Sequence, residues 1–142
     1  MNNINEIEKY INSFHSRNKI VILKNEVPDI EFIDIGKELS CRINSILSTP
    51  KVGIKSFLIL DEFLASSFQE NLLRGKFLAI KNLGILFENE LNIDFVQILA
   101  KYSSSKPLYV KWEGEIEDGI LYFLTKEKGQ KIDIKNLSHI VI

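Results

Sequence analysis

The residues best suited to chemistry are Asp61 and Glu62, which follow the apolar run Phe57-Leu58-Ile59-Leu60. An apolar strand ending in Asp-Glu is how a magnesium-binding carboxylate and a water-activating glutamate are presented in nucleoside triphosphatases. That chemistry also needs a phosphate cradle, G-x-x-x-x-G-K-[ST], whose backbone N–H groups and lysine neutralise the phosphates. The chain contains no such loop. Ile54, Phe57, Leu58, Asp61 and Leu64 also fall at helical spacing, and residues 54–68 contain neither Val nor Thr. A helix is therefore expected there, with the carboxylate-ended strand as its alternative.

Other candidates are weaker. Lys81 and Asn82 end the apolar run Phe77-Leu78-Ala79-Ile80, placed to meet an anion or a backbone group, or to be solvated or salt-bridged. Trp112, with Tyr109 and Tyr122, suits either a partner-binding surface or core packing at a strand end. Glu113, Glu115, Glu117 and Asp118 form an acidic loop of the kind usually just solvated, though two or three carboxylates can collect a cation. His15 and His139 have no metal-ligand spacing around them, so no metal or other cofactor is expected. Cys41, on the apolar side of an expected helix, reads as core. No Gly-x-Ser-x-Gly or other nucleophile motif is present, and no catalytic residue is expected.

The totals narrow the class. A length of 142 residues suits one domain with a real core, and 45% hydrophobic with 26% charged residues is ordinary for a globular protein. A net charge of −1 announces no global basic field for nucleic acid, leaving a nucleic-acid-binding module with little support. One cysteine excludes a disulfide framework and a thiolate metal cluster. No apolar run approaches bilayer length, and the amphipathic N-terminus has no secretory core, so a cytoplasmic protein without membrane contact is expected.

The elements that must position these residues follow from periodicity. Ile4, Ile7, Ile11 and Phe14 share one helical face, and that helix is expected to end near 15–18. Strands are expected at Lys19 to Leu23 and Ile30 to Ile35, separated by a turn and with Gly36 as the breaker. Leu39, Ile43, Ile46 and Leu47 mark a helix stopped by Ser48-Thr49-Pro50. The strand Lys76 to Ile80 is buried on both faces. Leu91, Phe95, Ile98, Leu99 and Tyr102 give the cleanest helical stripe. It leads into the strand Leu108 to Val110, then through Glu113-Gly114 and Asp118-Gly119 into a strand at Ile120 to Leu124. A turn near Asp133 to Leu137 and a last strand, His139 to Ile142, close the chain. Strand, helix, strand is the unit of a parallel sheet.

IDIGKELS (33–40), FLAIKNLGILF (77–87) and KWEGEIEDGILYF (111–123), with the helix to Tyr102 between the last two, together resemble BrxF. That family comprises small P-loop proteins of bacteriophage-exclusion (BREX) defence systems. The resemblance spans roughly residues 19–125. It implies a glycine-rich phosphate loop and helix after the first strand, acidic residues ending the central strand, and a later strand ending in Trp, Gly, Glu and Gly. This chain departs from it wherever nucleotide would be touched. Lys24-Asn25-Glu26-Val27-Pro28-Asp29 has no glycine, Lys81 stands where the magnesium carboxylate is expected, and Gly84 takes the place of the second acid. Ser105 and Lys106 match the family's Asn/Arg pair only loosely. A lysine at a magnesium position repels the metal and can fill its place. A parallel crossover takes a dozen or more residues, so the short connection after the first strand is not expected to be one. The first two strands are thus an antiparallel hairpin, or the second has moved in the sheet.

The expected fold is a single α/β, P-loop-NTPase-like domain with a mostly parallel sheet flanked by helices, lacking the P-loop and its helix. Residues 1–18 form an N-terminal helix, 19–125 the family-like core and 126–142 a C-terminal extension. The chain's own departures imply a non-enzymatic protein, and the resemblance makes it an adaptor in a BREX-like defence system that binds a large ATPase or the methyltransferase machinery, with homo-oligomerisation left open. Lys81, Asn82, Trp112 and Glu113, following consecutive parallel strands, are the candidate partner-binding residues. The alternatives are a nucleotide-hydrolysing switch built on Asp61-Glu62 and a nucleic-acid-binding module.

Overall fold

The computed structural model describes residues 2–12, 17–124, 126–127 and 129–142, and for residues 2–5 the backbone alone. Phe14 and His15, and the side chain of Ile4, lie outside the described residues. Strand β1 (Ile20–Leu23) is buried throughout, as its unbroken β-branched and Leu run requires. It is flanked by β5 (Leu108–Lys111) and β9 (His139–Val141), parallel to both. Beyond β5 come β4 (Gly75–Lys81) and then β2 (Ile33–Asp34), also parallel, so the order is β2-β4-β5-β1-β9. The short β3 (Gln69–Asn71) pairs antiparallel with the start of β4. The α/β class with a mostly parallel sheet flanked by helices is therefore observed.

Alternation along the strands divides the core into two layers. Ile20, Ile22, Leu78, Ile80, Leu108 and Val110 pack against α2 (Ile35–Ile43), α3 (Val52–Ala65) and α4 (Phe95–Tyr102). Val21, Leu23, Phe77, Ala79 and Tyr109 face the other way, toward Ile7 of α1 (Asn2–Ile11) and toward Ile30 and Phe32. With both faces covered, the strands are apolar on both sides.

Ile30 and Phe32 belong to the connection between β1 and β2, which contains no helix and crosses the sheet on the α1 side. Strand β2 pairs only at Ile33↔Ile80 and Asp34↔Lys81, near the end of β4. The chain therefore never has to return along a full strand, so residues 24–32, expected to be too few for a parallel crossover, do make one. The first two strands are parallel and lie on either side of β4 and β5. The antiparallel hairpin is excluded; the second strand has moved in the sheet.

Several expected boundaries shift. The strand expected at Ile30 to Ile35 is reduced to β2, because Asp34 caps α2 by accepting a hydrogen bond from Lys37 N at 3.0 Å. Gly36 is thus inside a helix and breaks nothing. Helix α2 stops at Ile43 and passes into a 3-10 turn, Asn44–Ile46. It buries Ile35, Leu39 and Ile43, which leaves Cys41 on the outer side, exposed rather than in the core. Residues 52–65 are helical, as expected for most of 54–68. Helix α4 begins at Phe95, four residues after Leu91, because Asp94 caps it through Gln97 N at 3.1 Å.

The C-terminal part adds a small antiparallel sheet, β6 (Glu115–Glu117), β7 (Ile120–Tyr122) and β8 (Lys131–Asp133). Asp118 and Gly119, with φ of 52° and 75°, form the tight hairpin turn between its first two strands. Residues 126–142 are no appendage, for β9 completes the main sheet and Ile132 and Ile134 are buried in the core. Among the described residues no helix is long and apolar enough to cross a membrane.

Candidate functional site: the C-terminal edge of the sheet

Ile22, Val110 and Ile80 stand level in adjacent strands. The residues that follow β1, β5 and β4 therefore emerge along one edge, where parallel α/β sheets place their ligands. Lys81, Asn82, Lys111, Trp112 and Glu113 meet there, together with Lys24 to Glu26.

Lys81 and Lys111 continue the face carrying Phe77, Ala79 and Tyr109, so both ammonium groups lie on the side crossed by the β1–β2 connection. That connection carries Glu26. Its carboxylate stands between the two lysines, 3.2 Å from Lys81 Nζ and 3.5 Å from Lys111 Nζ. The hydrogen bond from Lys81 is the main cause holding the Glu26 carboxyl below its usual range. Lys111 also reaches the exposed Glu113 at 3.9 Å. Two cations at the ends of adjacent strands thus share a carboxylate from the protein itself.

Asn82 has a structural task. It adopts a left-handed conformation, φ 55°, and its Nδ2 donates to Asp34 Oδ1 at 2.7 Å. Its carbonyl accepts Gly36 N–H at 2.9 Å, and a Cβ on Gly36 would lie 2.6 Å from Asn82 Nδ2, which is why glycine stands there. Asn82 therefore fastens the end of β4 to the first turn of α2. The Asp34 carboxyl is held low, first by the Lys37 N–H and then by Asn82.

Trp112 does not join the surface. It is 3% exposed, stacks on Phe95 and meets Phe87 edge-on, and its Nε1–H donates to Glu115 O at 3.3 Å. Its backbone N–H donates to Leu23 O at 2.9 Å, so the strand alternation runs one residue further and turns the indole to the face of Leu108 and Val110. The surface-anchor reading of Trp112 is corrected; core packing describes it. The period of two through Leu108 and Val110 was the signal. Beside it lies a cleft lined by Asn82, Lys111, Glu113, Phe123 and the 63%-exposed Leu124.

Asp61 and Glu62 are elsewhere. Asp61 accepts from Lys101 Nζ at 2.7 Å and from Tyr102 Oη at 2.5 Å, which joins α3 to the end of α4. The next residue, Ser103, accepts Lys19 N–H at 2.8 Å just before β1. This cluster therefore sits at the N-terminal edge of the sheet, opposite Lys81 and Lys111. Lys101, then Tyr102, hold the Asp61 carboxyl low; burial, then Asp61, push the Tyr102 phenol up. Glu62 is exposed on the helix expected there, so the alternative, a strand ending in two carboxylates, is not formed.

His139 Nδ1 lies 2.8 Å from Leu137 O. Among the described residues no group of three or more His, Cys, Asp or Glu is placed to hold a metal ion. Sequence reasoning missed Glu26 and Lys111; the equivalent placement of Lys81 and Lys111 after neighbouring apolar strands was a hint of Lys111, and no local pattern pointed to Glu26. Comparison with protein-family models, with characterised proteins and with solved structures gives no match.

Proposed function

We propose that the chain is a non-catalytic adaptor, a relative of P-loop nucleoside triphosphatases without their nucleotide site, that binds a protein through the C-terminal edge of its sheet. The observation that carries this is the Glu26 carboxylate between Lys81 and Lys111. In the resemblance to BrxF, Lys81 stands where a metal-binding acid belongs, and the connection bearing Glu26 replaces the phosphate loop. An internal ion pair at that point satisfies the charges that nucleotide and metal would otherwise satisfy, and ligand would have to displace it. The same resemblance makes the partner a component of a BREX-like defence system, its large ATPase or methyltransferase machinery.

With Trp112 in the core, the surface offered to that partner is Lys111 and Glu113 around the cleft, with Leu124 as its apolar contact and Lys81 joined to Lys111 through Glu26. A small apolar centre within a charged rim is the composition of a non-obligate interface. The test is co-purification of tagged protein with the neighbouring defence-system proteins. Leu124→Asp combined with Glu113→Lys should abolish capture at an unchanged melting temperature. Capture that survives this pair of changes, or saturable stabilisation of the native protein by magnesium–ATP, overturns the proposal.

A further inference from the structure

Helix α3 is buried on one side, yet two large apolar residues stand on the other. Ser56, Leu60 and Leu64 face the core, while Ile54 and Leu58 on the opposite side are 62% and 60% exposed. Its exposed stripe runs Lys51, Lys55, Leu58, Glu62, Ala65, spaced four and three residues in alternation, the spacing of a helix–helix seam. The stripe is basic toward its start and acidic toward its end. Neither Lys55 nor Glu62 has an ion-pair partner among the described residues; Lys55 Nζ donates only to Thr49 Oγ1, at 3.1 Å.

We propose that α3 is a self-association face, on which two copies of the chain pack antiparallel about a two-fold axis at Leu58. Such an axis reverses chain direction and keeps each flank of the helix opposite the same flank of the other copy. At about 100° per residue, Lys55 and Glu62 stand on the same flank of Leu58, about 60° and 40° around from it. They lie three residues before it and four after. Lys55 of one copy therefore comes within about 1.5 Å, measured along the helix, of Glu62 of the other. The symmetry repeats the pair on the far side of Leu58. On the other flank Ile54 lies about 1.5 Å along the helix from Asp61 of the second copy, a carboxylate already held by Lys101, and about 4.5 Å from its small Ala65. The order of charge is complementary to its own reverse, which an unrelated apolar partner would not require. This face lies on the outside of the helix layer and does not involve the strand edge around Lys81 and Lys111.

The full chain should sediment as a monomer–dimer equilibrium between about 1 μM and about 500 μM. Leu58→Glu, Lys55→Glu and Glu62→Lys should each weaken the dimer at least about tenfold, the last two by setting like charges opposite each other. Mixing the Lys55→Glu and Glu62→Lys proteins should restore a dimer of one chain of each, because both contacts are regained with their signs exchanged. A misfolded variant would not be rescued by mixing, so recovery separates the interface from folding. A wild-type chain that stays monomeric, charge variants that dimerise as well as wild type, or a mixture that remains monomeric would each overturn the proposal.

Discussion

Trp112 stacks on Phe95 with ring centroids 6.2 Å apart and planes 15° from parallel, which ties the strand that ends at the candidate edge to the first turn of α4. Phe87 closes the aromatic group edge-on to both rings. Trp112→Ala should therefore act on stability, costing about 3–5 kcal/mol as large-to-small changes in a core do. Denaturant unfolding measures it, and as the chain's one tryptophan the native indole should emit blue-shifted and move to the red on unfolding. A variant within a few tenths of a kcal/mol of wild type would contradict this packing.

Asp61 staples α3 to α4 through Lys101 and Tyr102. Asp61→Asn keeps the size of the side chain and removes the charge. Tyr102 Oη also donates to Asp61 O at 2.7 Å, so its hydroxyl keeps a partner. The expected loss is about 1–2 kcal/mol, between an exposed ion pair and a charged hydrogen bond. It should shrink in high salt, because Lys101 is largely exposed. Urea curves at low and high salt decide the point; a cost that ignores salt would mean the charge is not what stabilises the joint.

Arg74 holds the β1–β2 connection onto the sheet. Its side chain is 8% exposed, and the guanidinium forms two hydrogen bonds to Asp29 at 2.5 and 3.0 Å and lies over the Tyr109 ring at 5.3 Å. The Arg74 hydrogen bond is the main cause lowering the Asp29 carboxyl. A carboxyl lowered on folding contributes stability above its unfolded value, about 3.9 for Asp, and loses it as pH falls through the folded value. Asp34 and Asp61 are lowered in the same sense. Unfolding free energy should thus fall steadily as pH drops from about 4. Asp29→Asn should cost about 2–4 kcal/mol at neutral pH by leaving the arginine half-paired, and should flatten part of the acid slope. An unchanged slope would remove Asp29 from the account.

What the sequence revealed was what local periodicity controls. Phe77 to Ile80 reads as a buried strand because four apolar residues in a row admit little else. The face of α4 was visible because Phe95, Ile98, Leu99 and Tyr102 recur at helical spacing. The start of α2 was not, because Asp34 serves as both the last strand residue and the helix cap, and only the second role stops the strand. The site was half visible. Lys81 and Asn82 could be placed at a strand end, but Glu26 reaches Lys81 across 55 residues of chain, a partnership no local pattern encodes. Trp112 was misplaced by its chemical type, since a tryptophan flanked by charge invites a surface reading even where alternation points it inward.

The shared carboxylate gives the last test. If Glu26 already satisfies Lys81 and Lys111, inorganic phosphate at constant ionic strength should leave the wild-type melting temperature unchanged. Glu26→Gln keeps the shape of the side chain and leaves two ammonium groups facing one another without an anion between them. That exposed change should barely alter the melting temperature alone, but it should open an anion site between two cations held at fixed strand ends. Phosphate at about tenfold its dissociation constant would then add about 1.4 kcal/mol to the variant's stability, saturably. Thermal denaturation of both proteins across a phosphate series measures this. Equal responses, or a response confined to the wild type, would show that Glu26 does not occupy the anion position at this edge.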